Sequence, residues 1–362
     1  MFILNALLAV GLALQSTPVV AGAKAELVSL PPPASQVLAI PDEMREAFRE
    51  KVLVTRSPEQ RLYRLVDFMF KPDGLGLKYT PDVTSTVAES YRTRRVNCMA
   101  FTMMAVALAR EAGFVAYAQQ IDRVMAWDLT GDVVTQSLHA NAVVVLNGRK
   151  FMLDIAAGRL SAPVMDYRIS DEHLLALFYG NRAMEALAAG HAEEALAWQE
   201  EALRHDQGDA TLWNNAGVLR QRLGDSAVAE SMYLEALKRN SNLTSALSNL
   251  VALYQKQGHL RKAHYWQQYA ERALRRDPYY QFTQGRRDES MGDFRGAIGY
   301  YKRAISLYKR EHLFHFYLAR AYYEMGSLES ADKELSLAEM LSEGVDQQRY
   351  QAKRDALRII MN

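Results

Sequence analysis

The chain has 362 residues, which exceeds the usual size of one hydrophobic core and points to two domains. An apolar fraction of 49% and a charged fraction of 23% exclude wholesale disorder. The 43 basic and 42 acidic residues leave a formal net charge of +1 with no block of one sign, so the electrostatic footprint of a nucleic-acid binder is absent.

From Phe2 to Leu14 the chain is nearly all apolar, interrupted by Asn5, and Ala21-Gly22-Ala23 follows as a cleavage site. The run is short for a membrane span. It reads as a cleaved signal peptide over 1–23, with an uncleaved anchor or a different start as alternatives, since no Lys or Arg precedes it. No Cys follows the run, so lipoprotein attachment has no support. The expectation is export to a periplasm or cell surface, with no membrane span once the signal is removed. Cys98 is the sole cysteine, so no intramolecular disulfide can form. In an exported protein an unpaired thiol flags reactivity. A small buried residue is the other reading.

A Pro-rich linker over 24–39 contains Pro31-Pro32-Pro33 and reads as a stiff spacer. The first globular region is expected over 40–172. Apolar spacing predicts helices over 42–51 and 59–70, the second carrying Leu62, Leu65, Val66 and Met69, with Pro72-Asp73-Gly74 as the break. A third helix is expected over 83–92, started by Thr80-Pro81-Asp82. Cys98 then opens an apolar helix to Glu111, with Gly113 at its C-terminal cap. Strands follow over 114–121, 137–146 and 149–155, the last two joined by the hairpin turn Asn147-Gly148.

Beyond Ala176 the pattern is helical and periodic. Gly190, Gly224, Gly258, Gly292 and Gly326 are spaced by 34 residues, as are Ala195, Ala229, Ala263, Ala297 and Ala331, and Ala202, Ala236, Ala270, Ala304 and Ala338. Glycine ends the first helix of a pair in a left-handed conformation, and alanine lets paired helices approach. The period resembles the tetratricopeptide repeat, and Trp213, Gly217, Tyr233, Gly285, Tyr301, Leu318, Ala319 and Tyr322 occupy further positions of that pattern. The proline expected near each repeat end is mostly missing. Five repeats are expected at 176–209, 210–243, 244–277, 278–311 and 312–345, with a capping helix over 346–362.

Within 40–172 there is one Cys and one His, Cys98 and His139, and Asp154 follows 15 positions later. A thiol nucleophile needs a base, and the base needs a group that fixes its tautomer. A helix N-terminus favours the thiolate. Arg94-Arg95-Val96-Asn97-Cys98, His139-Ala140-Asn141 and Asp154, in that order, resemble the transglutaminase-like, papain-like group. The resemblance covers about 40–172 and implies an α+β domain with a catalytic Cys98, His139 and Asp154. It also implies acylation of Cys98 at an amide, then transfer to water or an amine. Asn97 stands where Gly is common, and Ala140 where an aromatic is common. The backbone N–H of Cys98 is the natural oxyanion donor, with Tyr79 and Asn97 as candidates for a second.

Trp127 either lines the cleft or packs as a loop aromatic. Tyr300, Tyr301, Tyr322 and Tyr323 read as solenoid packing. His312 and His315 are i, i+3 neighbours without further ligands at metal spacing, so neither a metal nor a cofactor is expected. The fold class is therefore an α+β papain/transglutaminase-like domain followed by an all-α tetratricopeptide-repeat solenoid. The expected function is an exported thiol-dependent amide hydrolase or acyltransferase whose repeat groove binds a protein or peptide. The alternative is a non-catalytic protein-binding scaffold with a degenerate first domain.

Overall fold

A computed structural model describes residues 30–80, 84–130, 133–155, 159–161, 167–342 and 344–361. Over 121–130, 133–139, 159–161 and 344–345, and at 154 and 167, only the backbone is described. The expected signal segment 1–23 lies outside these residues.

Three helices open the fold: α1 (Ala34–Val37), α2 (Asp42–Lys51) and α3 (Pro58–Phe70). Ser57 caps α3 by accepting from the Gln60 N–H, and Pro58 occupies the first helical position, where a missing N–H costs nothing. Met44 and Phe48 of α2 are buried with Leu62, Leu65, Phe68 and Met69 of α3, and Phe48 meets Phe68 edge-on at 5.4 Å. The Pro-rich segment is not a free spacer, because the Tyr179 hydroxyl donates to the Pro32 carbonyl at 2.7 Å and Val37 is fully buried.

The next helix is α4 (Val87–Thr93), which starts later than 83. Its N-terminus is fixed by a capping box: Glu89 N–H donates to Thr86 Oγ1, and Thr86 N–H to Glu89 Oε2. Of the expected start, Pro81 and Asp82 lie outside the described residues. Two short parallel strands, β1 (Lys78–Tyr79) and β2 (Arg95–Val96), pair Tyr79 with Val96.

Helix α5 (Cys98–Glu111) is apolar on every side and buried along most of its length, as a helix enclosed by other elements must be. It packs on a five-stranded antiparallel sheet of order β6-β5-β4-β3-β7, made of β3 (Val115–Thr130), β4 (Val133–Leu146), β5 (Arg149–Asp154), β6 (Arg159–Ser161) and β7 (Tyr167–Arg168). Ala116, Ala118, Ala140 and Ala142 on the shared face let the helix approach closely. Both residues of the Asn147-Gly148 turn have positive φ, 51° and 74°. Strands β3 and β4 are longer than the apolar pattern predicts, and Trp127 falls within β3, its backbone opposite Gln136, rather than between strands.

The rest is helical. The pairs are α6 (Asp171–Ala188) with α7 (Ala192–His205), α8 (Ala210–Arg222) with α9 (Ser226–Arg239), α10 (Thr244–Lys256) with α11 (Leu260–Arg275), α12 (Pro278–Ser290) with α13 (Phe294–Leu307), and α14 (His312–Glu324) with α15 (Leu328–Leu341). Helix α16 (Gly344–Met361) closes the stack. Each pair turns at one of the five periodic glycines, with φ between 71° and 87°. The first helix opens at Asp171 rather than 176, capped by the Ser170 hydroxyl. One apolar core runs from Val37 through α5 and the sheet to Leu219 of α8, so the first repeat shares its interior with the N-terminal region.

Candidate functional site

Cys98 is the first residue of α5 and is partly exposed. Asn97 caps the helix, its Oδ1 accepting from the Ala100 N–H at 2.8 Å. One turn further, Thr102 Oγ1 lies 2.8 Å from the Cys98 carbonyl and 2.8 Å from the Ala140 carbonyl. That hydroxyl ties the first turn of α5 to β4 beside position 139. Tyr79 is 55% exposed on the strand paired with Val96, so one end of the α5 entry is open to solvent.

His139 and Asp154 are described by their backbones alone. His139 lies on β4 opposite Ile121, and Asp154 ends β5 opposite Arg159. Since Ala142 pairs with Leu153, continuing the register sets position 154 against 141. Strand alternation then groups positions 139, 141, 152 and 154 on one face and Ala140, Ala142, Val144 and Leu153 on the other. Within the first group, Asn141 Nδ2 donates to Met152 Sδ at 2.8 Å and Gln119 Nε2 to the same sulfur at 3.4 Å. Asn141 and Gln119 are buried on this face, whereas α5 packs on the opposite, Ala140 and Ala142 face and is tied to β4 through Thr102.

Asn97, a candidate second oxyanion donor, has a structural task. Its Nδ2 donates to Thr84 Oγ1 at 2.8 Å, and Thr84 donates both its hydroxyl (2.7 Å) and its backbone N–H (2.9 Å) to Glu185 Oε1. Burial pushes the Glu185 carboxyl above the usual carboxylate range, against the pull of these two bonds and of Arg182. No single-sequence signal marks Thr84 or Glu185. The Thr86-x-x-Glu89 capping box beside Thr84 was the available local clue.

In the repeats, α10 is buried along nearly its whole surface, Ser245 and Asn249 included, and β4 packs against it. Asn249 Nδ2 donates to Asn214 Oδ1 at 2.9 Å, linking α10 to α8. The later first helices are more open. Arg286 of α12 is exposed, lies 4.4 Å above the Tyr317 ring of α14 and donates to the Tyr317 hydroxyl at 2.8 Å. Arg320 covers the same ring at 4.3 Å and makes two bonds to Glu289. Phe316 stacks on Tyr350 of α16, with Arg349 and Lys353 over its ring.

Tyr301 is fully buried and donates to Glu289, as a packing tyrosine would. His312 meets the Tyr350 hydroxyl, and His315 meets Glu334 and the Lys309 carbonyl. No group of three or more His, Cys, Asp or Glu side chains that could hold a metal occurs among the described residues. None of the described helices is long and apolar enough to cross a membrane.

A tetratricopeptide-repeat family model matches residues 210–243. Solved structures resembling the chain include MamA 41-end from Desulfovibrio magneticus RS-1, at 22% identity over 48% of this chain and 96% of that one, with a TM-score of 0.27. Pseudomonas aeruginosa PilF is 17% identical over 48% of this chain and 80% of that one, TM-score 0.28. TTC0263, a tetratricopeptide-repeat protein of Thermus thermophilus, is 19% identical over 51% of this chain and 99% of that one, TM-score 0.27. No curated protein matches. The C-terminal part of the chain is thus a tetratricopeptide-repeat array, on the family match, the 34-residue period and the glycine turns together.

Proposed function

We propose that the chain is a protein-binding scaffold whose free recognition face lies on α12, α14 and α16. The supporting observation is the difference between the repeats: β4 already packs against α10, whereas Arg286, Tyr317, Phe316 and Lys353 are left uncovered or half-covered. Arg286 and Lys353 have no carboxylate within ion-pair distance among the described residues, so the partner segment is acidic with apolar neighbours. A photo-crosslinking residue placed at 286 in the native host should capture a partner, and the same residue at 245 should not. Equal capture at both positions, or none at 286, would defeat the proposal.

A second reading concerns Cys98. The tie from Thr102 to the Cys98 and Ala140 carbonyls favours a thiol site of the transglutaminase-like kind, formed by Cys98, His139 and Asp154. In that reaction the Cys98 sulfur attacks an amide carbonyl and His139 takes the thiol proton. The Cys98 N–H, with Asn97 or Tyr79, steadies the oxyanion. The C–N bond breaks as His139 protonates the leaving amine, and water or a second amine then releases the acyl group. His139→Ala should slow iodoacetamide alkylation of Cys98 at mildly acidic pH; an unchanged rate would leave the domain as a non-catalytic platform. Export belongs to the same proposal: mature protein from the native host should begin near Lys24 or Ala25 by mass spectrometry.

A further inference from the structure

We infer that Glu185, on the first repeat helix, is a positioning residue for Cys98. The path is continuous and directed. The Ala100 N–H donates to Asn97 Oδ1 (2.8 Å), Asn97 Nδ2 to Thr84 Oγ1 (2.8 Å), and the Thr84 hydroxyl to Glu185 Oε1 (2.7 Å). Each donor points the same way along the chain of bonds, so each bond polarises the next, and the sequence ends on a carboxylate. Thr84 is 1% exposed and Asn97 is 8% exposed, so water cannot readily replace a lost partner. The Thr84 N–H also ends on Glu185 Oε1, at 2.9 Å, which fixes the backbone of the segment that Asn97 grips.

Cys98 lies between Asn97 and Ala100, the two residues joined by the cap. The direction of the Cys98 backbone N–H and the first-turn dipole beneath its sulfur depend on that cap holding its rotamer. Glu185 therefore acts through Thr84 and Asn97 and touches no reacting atom. Resting on the thiol reading of Cys98, this role makes α6 part of the site, and the repeat array is not merely appended to it.

Because Cys98 is the sole cysteine, iodoacetamide reports on it without ambiguity in the full-length chain. Alkylation rates would be followed across pH for the wild type, Glu185→Ala, Glu185→Gln, Thr84→Val and His139→Ala, with thermal melting as the control for folding. Glu185→Ala should slow alkylation near neutral pH about two- to fivefold, the range expected for weakening a helix-end interaction, and move the pH–rate profile upward. Glu185→Gln, whose amide oxygen can still accept from Thr84, should restore the wild-type profile. If Glu185→Ala proves unfolded, Thr84→Val, which removes the hydroxyl link alone, should give the same displaced profile. Wild-type profiles for the folded members of this pair would overturn the role of Glu185, whatever their melting temperatures. His139→Ala separates the two ideas. An unchanged profile there, with a displaced one for Glu185→Ala, removes the thiol reading and leaves the positioning role. The reverse pattern removes the positioning role alone.

Discussion

Arg110, near the end of α5, donates two parallel N–H···O bonds to Asp171, at the start of α6, at 2.7 and 2.8 Å. Near the other end of α6, Glu185 accepts from Thr84, so α6 is tied to the N-terminal region towards both of its ends. The Arg110 guanidinium holds the Asp171 carboxyl below the usual carboxylate range, against a partial burial that raises it. A depressed carboxyl contributes stability above its unfolded pKa and loses it as pH falls through the folded value. Asp171→Asn should therefore cost stability near neutral pH and little in acid. Both side chains are more than a third exposed, so the loss read from urea unfolding should stay below about 1 kcal/mol. A loss that persists in acid would mean that the contact acts through packing.

The interior of the repeats should reject added volume at two equivalent places. A Cβ on Gly217 would sit 2.6 Å from the Tyr233 ring, and one on Gly285 would sit 2.5 Å from the Tyr301 ring. Both tyrosines are fully buried and cannot retreat. Gly217→Ala and Gly285→Ala should each destabilise by about 1–3 kcal/mol. Gly299, within α13, meets nothing within 4 Å, so Gly299→Ala should stabilise by up to about 1 kcal/mol through helix propensity. Thermal unfolding of the three variants checks both signs.

The contact of His315 with Glu334 makes a pH-dependent tie in the last repeat. Burial alone would favour the neutral ring, but the hydrogen bonds to Glu334 (2.7 Å) and to the Lys309 carbonyl (3.1 Å) outweigh it and raise the ring above the usual histidine range. A raised histidine contributes stability fully below its unfolded pKa and loses it as pH rises through the folded value. The difference in urea midpoint between wild type and His315→Gln should therefore be larger at about pH 6 than at about pH 9. A pH-independent difference would show that the ring is held as a neutral packing group.

The Thr102 hydroxyl should matter more than its size suggests. Valine keeps the branched shape but cannot donate to the Cys98 or Ala140 carbonyl. Thr102→Val is expected to lower stability by about 1 kcal/mol. Amide exchange should quicken around Ala140, where β4 loses its link to α5. Unaltered exchange there would mean that apolar packing alone holds the helix on the sheet.

Local chemistry was readable wherever it was short in range. The limits of α5 followed from the apolar run that Cys98 opens and from Gly113, and the hairpin from Asn147-Gly148. The five repeat turns followed from glycines that adopt positive φ. The start of α4 was misplaced because Pro81 reads as a helix opener, while the Thr86–Glu89 box three residues into the expected helix holds the real cap. Contacts that join distant positions had no local mark. Tyr179 to Pro32, Thr84 to Glu185, and α10 to β4 depend on how the repeats fold back on the first region. The imidazole of His139 and the carboxyl of Asp154 lie outside the described residues, so of the three expected catalytic groups only Cys98 has its surroundings on view.

The shared apolar core has a consequence for how the molecule comes apart. It gathers the N-terminal helices, the sheet and the first repeat, and reaches Leu219, while the later repeats rest on smaller, separate clusters around Tyr233 and Leu250, around Tyr301, and around Leu335. In a stacked array each unit is held mainly by its neighbours, so opening propagates inward from the free end. The C-terminal helices should exchange their amides first, and α6 and α7 last, in step with α5. The first repeat thus behaves in unfolding as a member of the region before it, and the cooperative boundary falls a full helix pair later than the change in sequence pattern near Ala176.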